Sequence, residues 1–205
     1  MKITIIDYDM GNVGSIMNML EYLGYDDVEI SSSRDRILDS THVILPGVGS
    51  FDEGMKNLES KNLDSILKEY AKGLKKPLLG ICLGMQLLGK SSEEGLKQGL
   101  GLVDFYNIKF KQIEGLKIPH MGWNTIHISN IDNPLVWELD DSFRYYFVHS
   151  YHAVCENSSI VTLTTNYGYD VPVGICQENI FGVQFHPEKS HQFGMKLFQN
   201  FLRLK

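Results

Sequence analysis

The chain has 205 residues, with 19 Lys+Arg against 25 Asp+Glu, a net charge of −6, and 43% hydrophobic, 11% aromatic and 21% charged residues. This globular composition excludes a disordered or collagen-like chain. The acidic balance, without a Lys/Arg cluster, argues against nucleic acid or an anionic membrane as a partner. At about 100 to 200 residues per domain, we expect one domain covering residues 1–205.

Three features of the sequence favour a reducing, cytoplasmic setting. No apolar run approaches the roughly 18 residues needed to span a bilayer. Asp7 and Asp9 lie where a signal peptide would continue its apolar segment. The three cysteines, Cys82, Cys155 and Cys176, are an odd number without CxxC spacing. This pattern predicts at least one free thiol and no structural zinc site.

The predicted elements indicate an α/β fold. Residues 1–100 alternate short β-branched runs with longer amphipathic segments, a pattern typical of βαβ units around a mainly parallel sheet. After Gly101, short strands and turns predominate, which predicts some antiparallel pairing. We therefore expect a mixed, mostly parallel central sheet flanked by helices. Strands are predicted at 2–7, 28–30, 42–45, 77–81, 103–110, 143–148, 152–155, 160–165 and 180–185, and helices at 12–23, 51–70, 83–89 and 192–202.

The most informative motif is LLGICLGMQ at residues 78–86, where a buried strand runs through Gly80-x-Cys82-x-Gly84 directly into a helix. This is the form of a nucleophile elbow, in which small flanking residues permit a strained backbone that projects the nucleophile above the sheet. At the N-terminus of a helix, Cys82 would be favoured as the reactive thiolate. The alternative is a buried structural cysteine.

A thiol nucleophile needs a base, and His186 is the leading candidate because it follows a predicted strand and is held by Pro187. Glu188 could orient the imidazole and stabilise its charged form. An ordinary His-Pro turn is the simpler alternative. The glycine-flanked turn at 46–51 could aim backbone N–H groups at a developing oxyanion, although a phosphate-binding turn or a plain strand-to-helix turn would look the same.

Taken together, PGVG at 46–49, GICLGMQ at 80–86 and HPE at 186–188 resemble the class I (triad) glutamine amidotransferases. The runs PHMGWN at 119–124 and YFVHSY at 146–151 are, within that family, most similar to the glutaminase subunits of imidazole glycerol phosphate synthase. The resemblance spans almost the whole chain. It implies the flavodoxin-like fold of the class I glutamine amidotransferases.

By that resemblance, Cys82 attacks the glutamine amide to give a γ-glutamyl thioester, His186 is the acid and base, and Glu188 orients it. Water then releases glutamate. Ammonia passes to a (β/α)8-barrel cyclase subunit that makes imidazole glycerol phosphate in histidine biosynthesis, and no cofactor is implied. The resemblance also assigns Val48, Gly49 and Leu83 to the oxyanion hole, Gln86, Glu94, His149, Ser150 and Tyr151 to glutamine binding, and Asn12, His120, Trp123 and Lys189 to the partner interface.

The partner is the open part of this assignment. Residues 13–20 and 189–195 are similar to a paralogous branch, encoded with surface-polysaccharide genes, that supplies ammonia to an amidotransferase making acetamidino sugars. In addition, Asp9 stands where the first loop of the family usually has glycine. The alternative function is therefore a glutaminase with a sugar amidotransferase as its partner.

The sequence also contains patterns that are typical of other classes of function. DMGNVG at 9–14 approaches a dinucleotide fingerprint, but it lacks the first glycine, and the second strand ends in three serines at 31–33 rather than in an acidic residue that could hold a ribose. HSYHAVC at 149–155 suggests a metal site, but residues three apart in a strand point to opposite faces. A cysteine hydrolase acting on other small amides and a non-catalytic binding subunit complete the alternatives. Substrate tests and a Cys82 variant would distinguish them.

Overall fold

A sheet of eight strands lies at the centre of the computed structural model, which describes residues 1–204. The strands are β1 (Ile3–Ile6), β2 (Val28–Ser31), β3 (His42–Leu45), β4 (Leu78–Ile81), β5 (Tyr106–Lys109), β6 (His120–Thr125), β7 (His127–Ile128), β8 (Arg144–His149), β9 (Tyr151–Val154), β10 (Val161–Asn166), β11 (Asp170–Gln177) and β12 (Ile180–Val183). The helices are α1 (Val13–Tyr22), α2 (Arg34–Asp39), α3 (Phe51–Ser60), α4 (Leu63–Lys68), α5 (Leu83–Leu88) and α6 (His191–Leu202).

The order of strands in the sheet is β2-β1-β3-β4-β12-β11-β10-β7. The first five run parallel, and the last three are added antiparallel. Two further antiparallel pairs, β5 with β9 and β6 with β8, lie outside this sheet. The mixed, mostly parallel α/β fold expected from the sequence is confirmed. Within residues 1–204, none of the helices has the length and apolarity that a membrane span requires.

The central strands β1, β3, β4 and β12 are buried on both faces, and alternate strand residues pack into two core clusters. In β3, Val43 and Leu45 join the cluster that contains residues of α3, α4 and α5, whereas Ile44 joins the cluster that contains residues of α1 and α6. This alternation follows from the two-residue repeat of a strand. Burial on both faces explains why these four strands consist mostly of apolar residues. The helices on each side hold the carboxyl ends of β3, β4 and β12 at one edge.

Two predicted elements are wrong in extent. The helix expected over 51–70 is broken, because Asn62 has a left-handed backbone with φ 58° and separates α3 from α4. Asparagine tolerates this conformation better than most residues. The strand expected over 103–110 shortens to β5, since residues 103–105 form bends and coil before it.

Four elements were not predicted: α2, β6, β7 and β11. In β11, Pro172 and Gly174 are residues that normally argue against a strand interior. The irregular register between β10 and β11 accommodates them, and Pro172 lies opposite Thr164 just beyond a register shift. Bulges of this kind relax the hydrogen-bond pattern of the ladder. Pairing with a neighbouring strand therefore overrides the local propensity of this segment.

Candidate active site

The turn between β4 and α5 has the geometry predicted for a nucleophile elbow. Cys82 has φ 54° and ψ −111°, a conformation that residues with a side chain rarely adopt. A Cβ atom on Gly84 would lie 1.9 Å from the carbonyl oxygen of Leu45, and one on Gly80 would lie 2.7 Å from the carbonyl oxygen of Gly84. Both glycines are therefore required for the close packing of β3, β4 and α5 that supports Cys82.

His186 reaches the same edge of the sheet because β12 is the parallel neighbour of β4. The backbone N–H of Cys82 donates to the carbonyl oxygen of Val183 at 2.8 Å, which ties the elbow to the end of β12. The backbone N–H of His186 donates to the carbonyl oxygen of Tyr146 at 2.9 Å. The two side chains that are distant in sequence therefore line one cavity.

The imidazole of His186 is held by Glu188. His186 Nδ1 lies 2.7 Å from Glu188 Oε1, and the two residues are only 1% and 9% exposed. Since a carboxylate accepts, Nδ1 carries the hydrogen and Nε2 is the ring atom left for the thiol. Burial alone would lower the pKa of His186, but its interactions with Cys82 and Glu188 outweigh burial and raise this pKa above its ordinary value. A positively charged imidazole is therefore the favoured state of His186.

The glycine-flanked turn after β3 packs directly against the elbow. A Cβ atom on Gly47 would lie 2.5 Å from the Tyr8 hydroxyl and 2.8 Å from Leu83 Cβ, and Gly49 has φ +117°. Hydrogen bonds between backbone groups in the turns, loops and helix ends of residues 1–204 do not use the N–H groups of Val48, Gly49 or Leu83 as donors. These three groups are the predicted oxyanion-hole donors, and they border the cavity above Cys82.

The cavity has a volume of about 260 Å³. Ligand pockets commonly measure about 300–1,000 Å³, so this one suits a small molecule. Every residue predicted for the nucleophile, base, oxyanion hole and glutamine binding contributes to its wall, and Glu188 lies behind His186. The lining residues are Val48, Gly49, Cys82, Leu83, Gln86, Glu94, Pro119, Val148, His149, Ser150, Tyr151 and His186.

Gln86 and Glu94 are held in place by the chain itself. Gln86 Nε2 donates to the carbonyl oxygen of Tyr151 at 3.1 Å and to Gln184 Oε1 at 2.9 Å. Because an amide nitrogen carries only two hydrogens, Oε1 is the atom of the Gln86 amide left for a ligand. Glu94 Oε2 accepts from the backbone N–H of Phe51 at 2.8 Å, at the start of α3. Both side chains therefore offer acceptors to the cavity.

A pair of neutral histidines extends from the cavity wall. His149 Nδ1 lies 2.8 Å from the carbonyl oxygen of Tyr151, so Nδ1 carries the hydrogen and Nε2 accepts from His120 Nδ1 at 3.0 Å. His120 Nε2 in turn accepts from Asn124 Nδ2 at 3.2 Å. Burial lowers the pKa of His149 to about 3 and that of His120 to about 4. Both rings are therefore uncharged at neutral pH, and their tautomers are fixed.

The four residues predicted to meet a partner differ in exposure. Trp123 is 47% exposed, and Lys189 is exposed with its ammonium group over the ring of Tyr146. Asn12 is half-buried at the start of α1. His120 is only 2% exposed, because its ring is stacked between two aromatic side chains of this chain. A partner at this surface would meet Trp123 and Lys189 directly and His120 only through its neighbours.

Two residues at the site were not predicted from the sequence. The buried Tyr8 hydroxyl donates to the carbonyl oxygen of Pro46 at 2.6 Å and so supports the glycine-flanked turn. Burial, and secondarily the charge of Cys82, raises the pKa of Tyr8. Gln184 is fully buried, with Nε2 3.8 Å from Cys82 Sγ. Its position two residues before His186 placed it on the same side of the chain and was the available signal.

Comparison by sequence identifies relatives along nearly the whole chain. Residues 4–204 match the family described as glutamine amidotransferase class-I. The imidazole glycerol phosphate synthase subunit HisH 2 of Methanococcus maripaludis is 51% identical over 201 residues, which cover 98% of each protein. HisH 2 of Pseudomonas aeruginosa is 43% identical, with 98% of this chain and 99% of the relative covered. HisH of Listeria innocua is 46% identical, with 97% and 94% covered.

Solved structures support the same fold at lower sequence identity. PurLQS from Thermotoga maritima has a TM-score of 0.72 and 21% identity, with 98% of this chain and 97% of that chain covered. The glutaminase domain of Trypanosoma brucei CTPS with bound acivicin has a TM-score of 0.67 and 15% identity, with 100% and 94% covered. At these identities the likeness concerns the fold alone.

Proposed function

Because the chain belongs to the class-I glutamine amidotransferases and, within them, to the HisH subunits of imidazole glycerol phosphate synthase, we propose that it hydrolyses L-glutamine to glutamate and ammonia for imidazole glycerol phosphate synthesis in histidine biosynthesis. One observation carries this proposal. A cavity of about 260 Å³ is lined by Cys82 and His186 and by Gly49 and Leu83 of the predicted oxyanion hole.

The first half of the reaction forms a thioester. The Cys82 thiolate attacks the side-chain carbonyl carbon of glutamine, and the oxygen takes up negative charge beside the N–H groups of Gly49 and Leu83. His186 gives its Nε2 proton to the amide nitrogen as the C–N bond breaks. Ammonia leaves, and the γ-glutamyl group remains on sulfur. Glu188 holds the Nδ1–H of His186 throughout, which keeps Nε2 aimed at the reacting atoms.

The second half releases glutamate and restores the enzyme. His186 Nε2 is now neutral and takes a proton from water, whose oxygen attacks the thioester carbonyl. The same N–H groups stabilise the second tetrahedral oxyanion. Its collapse breaks the C–S bond, so Cys82 leaves as the thiolate and His186 is again positively charged. Glutamate is the product, and the pair is ready for another glutamine.

Recognition of glutamine follows from the acceptors in the cavity. The Glu94 carboxylate and the free Gln86 Oε1 complement the positively charged α-ammonium group of an amino acid. The chain segment at Ser150 and Tyr151 also lines the cavity. A substrate whose α-amino group is removed or acylated would lose these contacts. This selectivity distinguishes a glutaminase from a general hydrolase of small amides.

The proposed partner is the cyclase subunit of the synthase, a (β/α)8 barrel that would form a cytoplasmic heterodimer with this chain. The exposed Trp123 and Lys189, together with Asn12, form the proposed contact surface. His120 lies behind this surface and joins it to the glutamine cavity through His149. Ammonia released at Cys82 would be used by the cyclase.

The test is glutamate release from glutamine by the purified chain. The chain is assayed alone, with the cyclase subunit and its ribonucleotide substrate, and with the sugar amidotransferase from the same source. Stimulation by the cyclase is the expected result, whereas stimulation by the sugar enzyme alone would assign the chain to the paralogous branch. Cys82→Ser is expected to abolish glutamate release. The matched variant Cys155→Ser, at a half-buried free thiol outside the cavity, is expected to retain it.

If no glutamate appears under any of these conditions, the proposed function is wrong. A comparison of ammonium salts with glutamine as the nitrogen source tests whether this chain is instead a non-catalytic subunit. With the cyclase, Cys82→Ser is expected to support product formation from ammonium salts but not from glutamine. Product formation from glutamine by Cys82→Ser would contradict the assignment of Cys82 as the nucleophile.

A further inference from the structure

Gln184 is a fully buried amide whose orientation is determined by its neighbours. The carbonyl oxygen of Tyr151 can only accept, so the Gln86 side-chain atom 3.1 Å away must be its nitrogen. That nitrogen also lies 2.9 Å from one atom of the Gln184 amide, which must therefore be Oε1. The other atom of the Gln184 amide, Nε2, is consequently the one that faces Cys82 Sγ at 3.8 Å.

The position of Gln184 is fixed as firmly as its orientation. Its backbone N–H donates to the carbonyl oxygen of Val173 at 2.9 Å, which anchors the residue to the neighbouring strand. Because Gln184 is 0% exposed, water cannot replace a lost hydrogen-bond partner of its amide. The oxygen of this buried amide is already paired, and its N–H group points at sulfur. A hydrogen bond of this kind is strongest when the sulfur carries a negative charge.

We propose that the Gln184 carboxamide is a further catalytic group, which donates a hydrogen bond from Nε2 to Cys82 Sγ and stabilises the thiolate nucleophile, with Gln86 setting the orientation of the amide. Because the Oε1 atom of Gln86 also faces the cavity, one chain of hydrogen bonds joins the ligand-binding wall to the nucleophile. The consequence for glutamine hydrolysis depends on the proposed function. The hydrogen bond to sulfur does not.

Other titratable groups also act on the sulfur, and the test separates Gln184 from them by leaving them unchanged. One is the imidazole of His186, which interacts with Cys82 and has Glu188 behind it. Tyr8 is close enough for the charge of Cys82 to influence its hydroxyl. The remaining titratable side chains on the cavity wall are Glu94, His149 and Tyr151.

The experiment measures alkylation of Cys82 by iodoacetamide as a function of pH, with peptide mass spectrometry separating Cys82 from the other two cysteines. Gln184→Glu keeps the shape of the side chain and an oxygen for Gln86 but removes the donor facing sulfur. Gln184→Met removes the whole amide. Gln112→Glu makes the same charge change at an exposed position and is the matched control. Neither glutamine nor a partner is needed, so failure of the glutaminase assay leaves this test intact.

We expect Gln184→Met to lower the alkylation rate at pH 7 by about tenfold, and Gln184→Glu by more, since a hydrogen bond to a charged group has at least that effect. The midpoint of the pH curve should move upward in both. The rate at the high-pH plateau should be equal or higher, because a less hydrogen-bonded thiolate is more nucleophilic. Gln112→Glu should follow the unsubstituted protein.

Unchanged midpoints in both Gln184 variants would overturn the proposal. A lower plateau without a shifted midpoint would also overturn it, because that result indicates altered access to Cys82 rather than a lost hydrogen bond. If both variants fail to fold, the same alkylation measurement is made on Gln86→Met. This substitution removes the hydrogen bond that orients the Gln184 amide but leaves Gln184 itself in place. A smaller upward shift of the midpoint is then expected, and no shift would be contrary to the proposal.

Discussion

Gly84→Ala is the most direct test of why this chain can form the elbow. The added Cβ would lie 1.9 Å from the carbonyl oxygen of Leu45, 2.8 Å from its carbonyl carbon and 3.1 Å from the carbonyl oxygen of Pro46. All three atoms belong to the backbone of β3 and its following turn, so a side-chain rotation cannot relieve the clash. The helix α5 and strand β3 would have to separate.

The size of the effect follows from this distance. Ordinary contact begins near 3.4 Å, so the gap is short by about 1.5 Å. Overpacking of a core costs about 1–3 kcal/mol and occasionally more, and a backbone obstacle places Gly84→Ala at or above the upper end. For a chain of this length, about 3 kcal/mol lowers the melting temperature by about 6–12 °C. Glutamate release should fall further than the folded fraction, because the Cys82 backbone is displaced.

Thermal unfolding and urea titration measure the change, with Gly14→Ala as the matched control. Gly14 lies in α1, and a Cβ atom there meets nothing within 4 Å. This substitution is expected to stabilise the protein by about 0.5–1 kcal/mol, because alanine favours the helix. Gly84→Ala with the stability of Gly14→Ala, or with full glutaminase activity, would refute the steric argument.

Three further changes probe the groups around the elbow. Glu188→Gln should lower kcat for glutamine hydrolysis by about 10²- to 10⁴-fold with little change in KM, because His186 loses the negative charge that holds its imidazole. An unchanged kcat in the steady-state assay with the partner would contradict the orienting role of Glu188. Tyr8→Phe leaves the buried carbonyl oxygen of Pro46 without its donor and should lower the free energy of unfolding in urea by about 1–3 kcal/mol; equal stability would contradict the value of that contact. Folding lowers the pKa of His120 from 6.5 to about 4. Between these pH values the unfolded chain binds a proton at His120 that the folded chain does not. The free energy of unfolding therefore falls as the pH drops from 6.5 towards 4. His120→Phe should reduce this pH dependence, and an unaltered slope of unfolding free energy against pH would count against a buried neutral ring.

The parallel strands and the elbow could be predicted because their signals are local. A strand buried on both faces needs a continuous apolar run, and β3 and β4 have such runs. The elbow needs small residues on both sides of Cys82, and the spacing of Gly80 and Gly84 meets this requirement. Each signal lies within a few residues of the structure that it predicts.

The elements that were missed depend on contacts that are distant in sequence. The segment with Pro172 and Gly174 becomes β11 only because β10 and β12 pair with it on either side. The helix break at Asn62 is one of several conformations that an asparagine permits, and packing selects it. His120 was placed at a surface by resemblance, yet pairing of β6 with β8 sets it opposite His149 and buries it. None of these outcomes is encoded in a short window of sequence.

The role of Gln184 is a further case of long-range dependence. Its amide matters only in relation to Gln86, Tyr151 and the Cys82 sulfur, which belong to other parts of the chain. In the sequence, Gln184 is one residue of the strand predicted at 180–185, just before His186. The fold alone gives this glutamine its partners.

We propose Cys82 as the nucleophile that takes the γ-glutamyl group from glutamine. The most direct measurement is mass spectrometry of peptides after acid quenching during turnover of glutamine with the partner present. A γ-glutamyl thioester on the peptide that carries Cys82, absent from Cys82→Ser, is the predicted result. An adduct on Cys155 or Cys176 instead, or continued glutamate release by Cys82→Ser, would contradict the claim.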